Sequence, residues 1–281
     1  MKNYTITIYN KDTRLKASFA EAFSTLFHNA WSYRSLIWRS VKRDFTMPYG
    51  QSFLGIGWSF IMPMIPVTAY LVLVFLGVLD TRAGMPFLVY VVTGVTFWFF
   101  LSGSISSVIN SIQRDRGIIT KVKFPLIVVI LSGFGKVCSD TLIRLGFVVV
   151  AFAIYGMVPN WTIIFSPLII LPFILLSFGL GIIVGLLNVV ATDTKNIVDM
   201  FLNYGMFLCS VFFAMPESGT IGQINRINIF NHFIVGIREF LVFGYITDIT
   251  GFALSSLVAL MLFILSIKAL YSLEYKIIGH L

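Results

Sequence analysis

The chain has 281 residues, of which 58% are apolar and only 11% are Asp, Glu, Lys or Arg. Soluble domains carry roughly 25% charged residues, so the composition excludes a soluble globular domain and points to an all-α polytopic membrane protein. The net charge of +8 is not a nucleic-acid signal, because the basic residues flank apolar segments, where anionic inner-leaflet lipid attracts them.

A helix crosses a hydrocarbon core roughly 30 Å thick with about 20 apolar residues. No Asp, Glu, Lys, Arg or His lies between Asp44 and Asp80, Arg82 and Arg114, Arg144 and Asp193, or Asp248 and Lys268. The chain therefore divides into a cytoplasmic N-terminal arm, residues 1–52, and a six-span transmembrane domain, residues 53–281. No cleavable signal is visible ahead of the first apolar run near Leu54, so the first span is expected to serve as its own insertion signal. Within the arm, Tyr33–Phe45 reads as an amphipathic interface helix. Tyr33, Leu36, Ile37, Trp38, Val41 and Phe45 share one arc, and Arg39, Lys42 and Arg43 lie opposite. It is either a plain membrane anchor or a lever that passes force into the first span.

Span one is expected at Phe53–Leu79 and span two at Pro86–Ile112, joined by a tight polar turn. The loop Gln113–Pro125 is basic through Arg114, Arg116, Lys121 and Lys123. It also carries Ile118, Ile119 and Val122, read as exposed apolar residues that suit a short helix docking into a partner's groove. Span three lies within Leu126–Tyr155. Lys136, Asp140 and Arg144 recur on one face at four-residue spacing, where opposite charges attract. They read as a structural ion ladder near the membrane interface, although charges inside hydrocarbon also mark function. Span four, Ile163–Val190, contains Gly181 and Gly185, a spacing that permits close helix approach. Thr192, Asp193 and Thr194 form a helix-start signal for span five, Ile197–Met215. Span six is Phe252–Tyr271.

Pro216–Thr250, between spans five and six, reads as a re-entrant helical hairpin. Phe233–Phe243 is apolar apart from Arg238 and Glu239 but too short to cross, and re-entrant backbone requires shielding by protein or a wet cavity. Arg238 is either a structural cap or an attractor of anionic substrate. Aromatic residues cluster toward the outer half of the spans: Trp98, Phe99, Tyr204 and Phe207 either anchor the chain at the interface or line a path and exit gate together with Asn231, Arg238 and Glu239. Of 20 Lys and Arg residues, only Arg82, Arg226 and Arg238 fall on the side opposite the N-terminus. The positive-inside rule then places both termini and Gln113–Pro125 in the cytoplasm.

Catalytic and metal-binding signals are missing. His28, His232 and His280 are scattered, and Cys138 and Cys209 sit in apolar stretches with no metal-site spacing. The nearest approach to a phosphate-binding loop, Gly133-Phe134-Gly135-Lys136-Val137, fails in spacing and in the residue after Lys. No cofactor is expected on this chain, and it is not read as an enzyme by itself.

Arg39-Ser40-Val41-Lys42-Arg43, then Leu54-Gly55-x-Gly57-Trp58 and Met62-Pro63, resembles the start of the ABC transporter permeases that export O-antigen and capsular polysaccharide. Leu187-Asn188-Val189-x-x-x-Asp193 resembles that family's end of span four. Phe230-Asn231-His232 with Arg238-Glu239 resembles its outer segment, although His232 stands where Pro is usual. Teichoic-acid exporters share the pattern. The resemblance implies a homodimer in the bacterial inner membrane. It would work with two copies of a cytoplasmic nucleotide-binding ATPase that binds ATP and Mg and contacts the interface helix and the loop after span two. The expected cargo is a lipid-linked glycan. The alternatives are a drug or small-lipid exporter permease of the same superfamily and a membrane-embedded glycosyl- or acyltransferase.

Overall fold

The computed structural model describes Arg14 and residues 17–47, 57–77, 84–122, 125–215 and 218–280. Among these residues the fold is all-helical. Four helices are long and apolar enough to cross a membrane, at Phe87–Arg114, Leu126–Ile154, Trp161–Val190 and Ile249–Ile277.

Two helices form the arm. Helix α1, Phe19–Ser32, begins where the Ser18 hydroxyl accepts the Glu21 amide at 3.2 Å, the Ser-x-x-Glu arrangement of a capping box. Helix α2, Arg34–Thr46, follows across Tyr33. Neither floats free. Ala22 and Leu26 of α1 are buried, and Val41 of α2 packs so closely on Gly135 that a Cβ there would collide with it.

Helix α3, Gly57–Phe75, has 19 residues. Helix α4, Phe87–Arg114, is the hub of the bundle. Its apolar window is 78% buried, against 22% for the second and last of the long helices, so those two leave most of their apolar surface uncovered by this chain. A seven-residue helix α5, Arg116–Val122, leads into α6, Leu126–Ile154. Glycines set the spacing of α4 against its neighbours. A Cβ on Gly133 of α6 would press on Ser111 and the Ser107 carbonyl. Gly181 and Gly185 of α7, Ser166–Val190, lie as closely on Val108. The small-residue spacing in span four is thus a helix-packing seam.

Beyond α7 the chain departs from expectation. Helix α8, Asp193–Gly205, starts without a side-chain cap from Thr192. Instead Asn188, from the end of α7, accepts the Lys195 amide at 3.1 Å. The segment read as span five is also not one continuous helix. A 3-10 turn, Met206–Leu208, ends in extended backbone at Cys209. Helices α9, Gly219–Ile227, and α10, Ile229–Phe243, then follow in succession. Asn228 caps α10 by accepting the Phe230 and Asn231 amides, and Gly244 closes it at φ 83°, a left-handed conformation that glycine adopts without a Cβ penalty. The last helix, α11, spans Ile249–His280. Near its end Glu274 accepts the Leu126 amide at 2.9 Å and pairs with Arg14 at 3.1 Å.

Candidate functional site

The break after α8 exposes backbone groups that a helix would have satisfied, and in an apolar bundle each unanswered group is costly. Asn231 accepts the Ser210 amide at 2.8 Å. The Ser210 carbonyl accepts from Arg238 at 2.7 Å and from the Tyr90 hydroxyl at 3.1 Å, and the Val211 carbonyl accepts from Arg238 at 3.3 Å. Arg238 also donates to the Thr93 hydroxyl at 3.2 Å, and its guanidinium lies 3.7 Å from the centre of the Tyr90 ring. The side chain is 1% exposed. Gly94 makes room for it, since a Cβ there would strike both the guanidinium and the Val211 carbonyl.

This geometry supports the structural reading of Arg238. Its hydrogen bonds go to neutral oxygens of this chain and cap a broken helix, although Arg238 and Asn231 also line a cavity. Its neighbour Glu239 accepts the Thr247 amide at 2.8 Å. Asn231, expected on the exit gate, is likewise committed to the backbone. A cavity of about 500 Å³ opens beside them, lined among others by Arg226, His232, Glu239 and Asp248. His232 reaches Asp248 at 3.3 Å and the Arg226 carbonyl at 3.0 Å, tying α9, α10 and the start of α11 together.

The aromatic residues divide by environment. Trp98 is buried, and its indole donates to the Leu202 carbonyl at 3.1 Å. Phe99 is half-buried, whereas Tyr204 and Phe207 are exposed. Phe207 is 5.8 Å from Phe212, which stacks on Tyr70 at 3.5 Å.

At the other end of α4, an ion network joins the arm to the α4–α5 turn. Asp44 of α2 accepts from Arg43 at 2.9 Å and from Arg114 at 2.8 Å, and its side chain is 1% exposed. Asp115 accepts from Arg114 at 3.1 Å and lies 3.7 Å from Arg43. Arg43 and Arg114, read as basic docking residues, are thus engaged within the chain while still 44% and 41% exposed, and Arg39, Lys42 and Arg116 are exposed too. The reading of Ile119 needs correction: it is fully buried, in one cluster with Leu126, Leu270 and Ile277, so it anchors α5 instead of being offered to a partner. The side chains of Ile118 and Val122 lie outside the described residues. Asp44, Asp115 and Glu274 carry these contacts and were missed in the sequence. A single acid directly after the basic run Arg39–Arg43 is the one readable hint of Asp44.

The expected ladder is partly formed. Lys136 pairs with Asp140 at 3.0 Å, and the Arg144 guanidinium lies 5.0 Å from the centre of the Phe99 ring. Gly103 of α4 meets Val137, so Asp140 and Arg144 sit about halfway along α4, because α6 starts packing at its first residue.

The sequence model of the family described as ABC-2 type transporter matches residues 35–242. A Myxococcus xanthus protein named O-antigen export system permease protein RfbA is 26% identical over 190 residues, covering 68% of this chain and 72% of the relative. Two Klebsiella pneumoniae proteins of the same name are 28% identical over 171 residues (60% of this chain, 64% of the relative) and 25% identical over 226 residues (76% and 85%).

Proposed function

Because the chain belongs to the ABC-2 type transporter family, we propose that it is the membrane subunit of an ATP-driven exporter. Its cargo is a lipid-linked polysaccharide such as O-antigen, moved from the cytoplasm to the outer face of the inner membrane. The similarity to three O-antigen export permeases carries this reading.

The finer parts of the proposal follow the geometry. The four long helices are joined by α3, which is apolar over 19 residues, and by α8 with its extended continuation, giving six membrane-embedded passes. Helices α9 and α10 form a hairpin that dips in from the outside and shapes the exit. Both termini, α2 and α5 lie on the cytoplasmic side, as the distribution of Lys and Arg supports. The working unit is a homodimer with two copies of a cytoplasmic ATPase that binds ATP and Mg. Arg39, Lys42 and Arg116 are the exposed charges offered to that ATPase, and the Asp44 network ties α2 to the α4–α5 turn so that the two move together.

Co-expression with the ATPase in cells that make the glycan but cannot export it tests the reading. Glycan is expected at the cell surface only when both chains are present, and the isolated chain is expected to hydrolyse no ATP. Surface glycan without the chain, or hydrolysis by the chain alone, removes the proposal. Lys121→Cys is expected to react with a thiol reagent only in permeabilised cells; labelling in intact cells would invert the topology.

A further inference from the structure

Helix α1 carries an aromatic stripe that the bundle leaves largely uncovered. Phe19, Phe23, Phe27 and Trp31 recur at four-residue spacing, with successive ring centres 5.8, 6.2 and 6.4 Å apart. Phe19 is half-buried, whereas Phe23, Phe27 and Trp31 are 43%, 58% and 62% exposed. At about 100° per residue the stripe lies between two other faces. One holds Ala22 and Leu26, buried against the bundle; the other holds Glu21, Ser24 and His28, polar and exposed. The helix thus has a protein face, a water face and an aromatic face between them. The ABC-2 family model begins at residue 35, after α1, so family membership does not account for the aromatic face.

Two observations say what covers it. The first is its level. Helix α1 packs on α6 and α11. Leu26 shares an apolar cluster with Leu126 and Ile127, at the start of α6, and with Ile267 and Leu270 of α11. Between those last two lies Lys268, exposed and the first ionisable residue after Asp248. Here the apolar length of the last span gives way to charge, as it does where acyl chains meet headgroups. The second observation is charge. Arg34 donates to the Trp31 carbonyl at 3.1 Å, and its guanidinium lies 5.2 Å from the centre of the Trp31 ring. A tryptophan with an arginine at its rim matches a lipid surface, apolar below and anionic above. We propose that α1 is an interfacial membrane anchor. Phe23, Phe27 and Trp31 insert among the acyl chains of the cytoplasmic leaflet, Arg34 sits at the level of the lipid phosphates, and Glu21 and His28 face water. The choice of leaflet rests on the topology proposed above; insertion does not.

The full chain, assembled with its ATPase, is placed in nanodiscs of phosphatidylethanolamine and phosphatidylglycerol, with Cys138 and Cys209 changed to Ala. A nitroxide is attached in turn at Phe23→Cys, Phe27→Cys and His28→Cys, all exposed positions where a label leaves the packing intact. Electron paramagnetic resonance then reads its collisions with oxygen, which concentrates among acyl chains, and with a water-soluble nickel chelate. The oxygen-to-nickel ratio is expected to be severalfold higher at Phe23 and Phe27 than at His28. A ratio at the stripe equal to that at His28 means a solvated helix, and exclusion of both reagents from the stripe means a covering protein, whether the ATPase or a second copy of the chain. Either result overturns the anchor. The topology fails separately: thiol labelling of Lys121→Cys in intact cells overturns the assignment to the cytoplasmic leaflet, whereas a low ratio at the stripe with Lys121→Cys protected overturns the anchor alone.

Discussion

Arg238 and Arg114 both attach to α4, one near its start and the other at its end, and they are satisfied differently. Arg238 is 1% exposed and donates only to carbonyls and a hydroxyl. Arg114 has a side chain 41% exposed and shares Asp44 and Asp115 with Arg43. Neutral backbone acceptors fixed in place allow one geometry, and losing it strands buried polar groups. Two arginines facing two carboxylates allow several pairings of similar energy, each modest because solvent reaches the arginines. The first end is built to hold its shape. The second can shift, as the coupling to an ATPase proposed for it would require.

Arg238→Met, which keeps volume but no donors, tests the rigid end most severely. Two carbonyls would lose a donor inside the bundle, a cost on the order of 3 kcal/mol or more. Thermal aggregation in detergent, without glycan or ATPase, is expected to show the loss, which a substrate-binding role would not produce. Gly94→Ala should reproduce it, since the added methyl group takes the guanidinium's place. If both variants are as stable as the parent, Arg238 is not a cap.

Ile119→Asp comes next. It buries a charge in the cluster with Leu270 and Ile277 and is expected to cost about 3 kcal/mol. Destabilisation of the chain alone would support an internal anchor, whereas lost co-purification with normal stability would return Ile119 to the partner's groove. Asp44→Asn probes the adaptable end directly. Removing the charge that both arginines share is expected to cost about 1–2 kcal/mol and to uncouple ATP hydrolysis from export more than it lowers stability. A drop in stability with coupling intact would erase the contrast between the ends. The smallest structural effect belongs to Arg39 and Lys42. Changing both to Glu on the exposed face is expected to alter stability by no more than about 0.5 kcal/mol while weakening ATPase co-purification.

The long apolar helices were legible because charged residues are few along them, and α10 was legible as an apolar stretch too short to cross. The outer break was not. Nothing local in Met206–Val211 announces that the helix stops. The groups that make stopping tolerable are Tyr90, Asn231 and Arg238, and Tyr90 lies 120 residues away in sequence from the carbonyl it serves. Arg238 could be seen as unusual, but its partners could not. The start of α1 was readable in principle, from Ser18 and Glu21, yet its apolar face is discontinuous and drew no attention. Lys136, Asp140 and Arg144 were found by spacing, whereas their level along α4 could not be read, because it depends on how Gly103 and Gly133 let α6 settle against α4.

Glu274 joins the first described helix pair to the last. Its partner Arg14 is 260 residues earlier, and the Leu126 amide it accepts is 148 residues earlier. During synthesis the arm and α6 therefore emerge long before the surface that receives them. Until α11 has been inserted, α1 has only part of its seat, and the amide that opens α6 lacks its acceptor. Such long-range closure is slow by nature. Assembly of this chain is then governed by its final helix, and the face built from the arm and the start of α6 is complete only after that helix is in place.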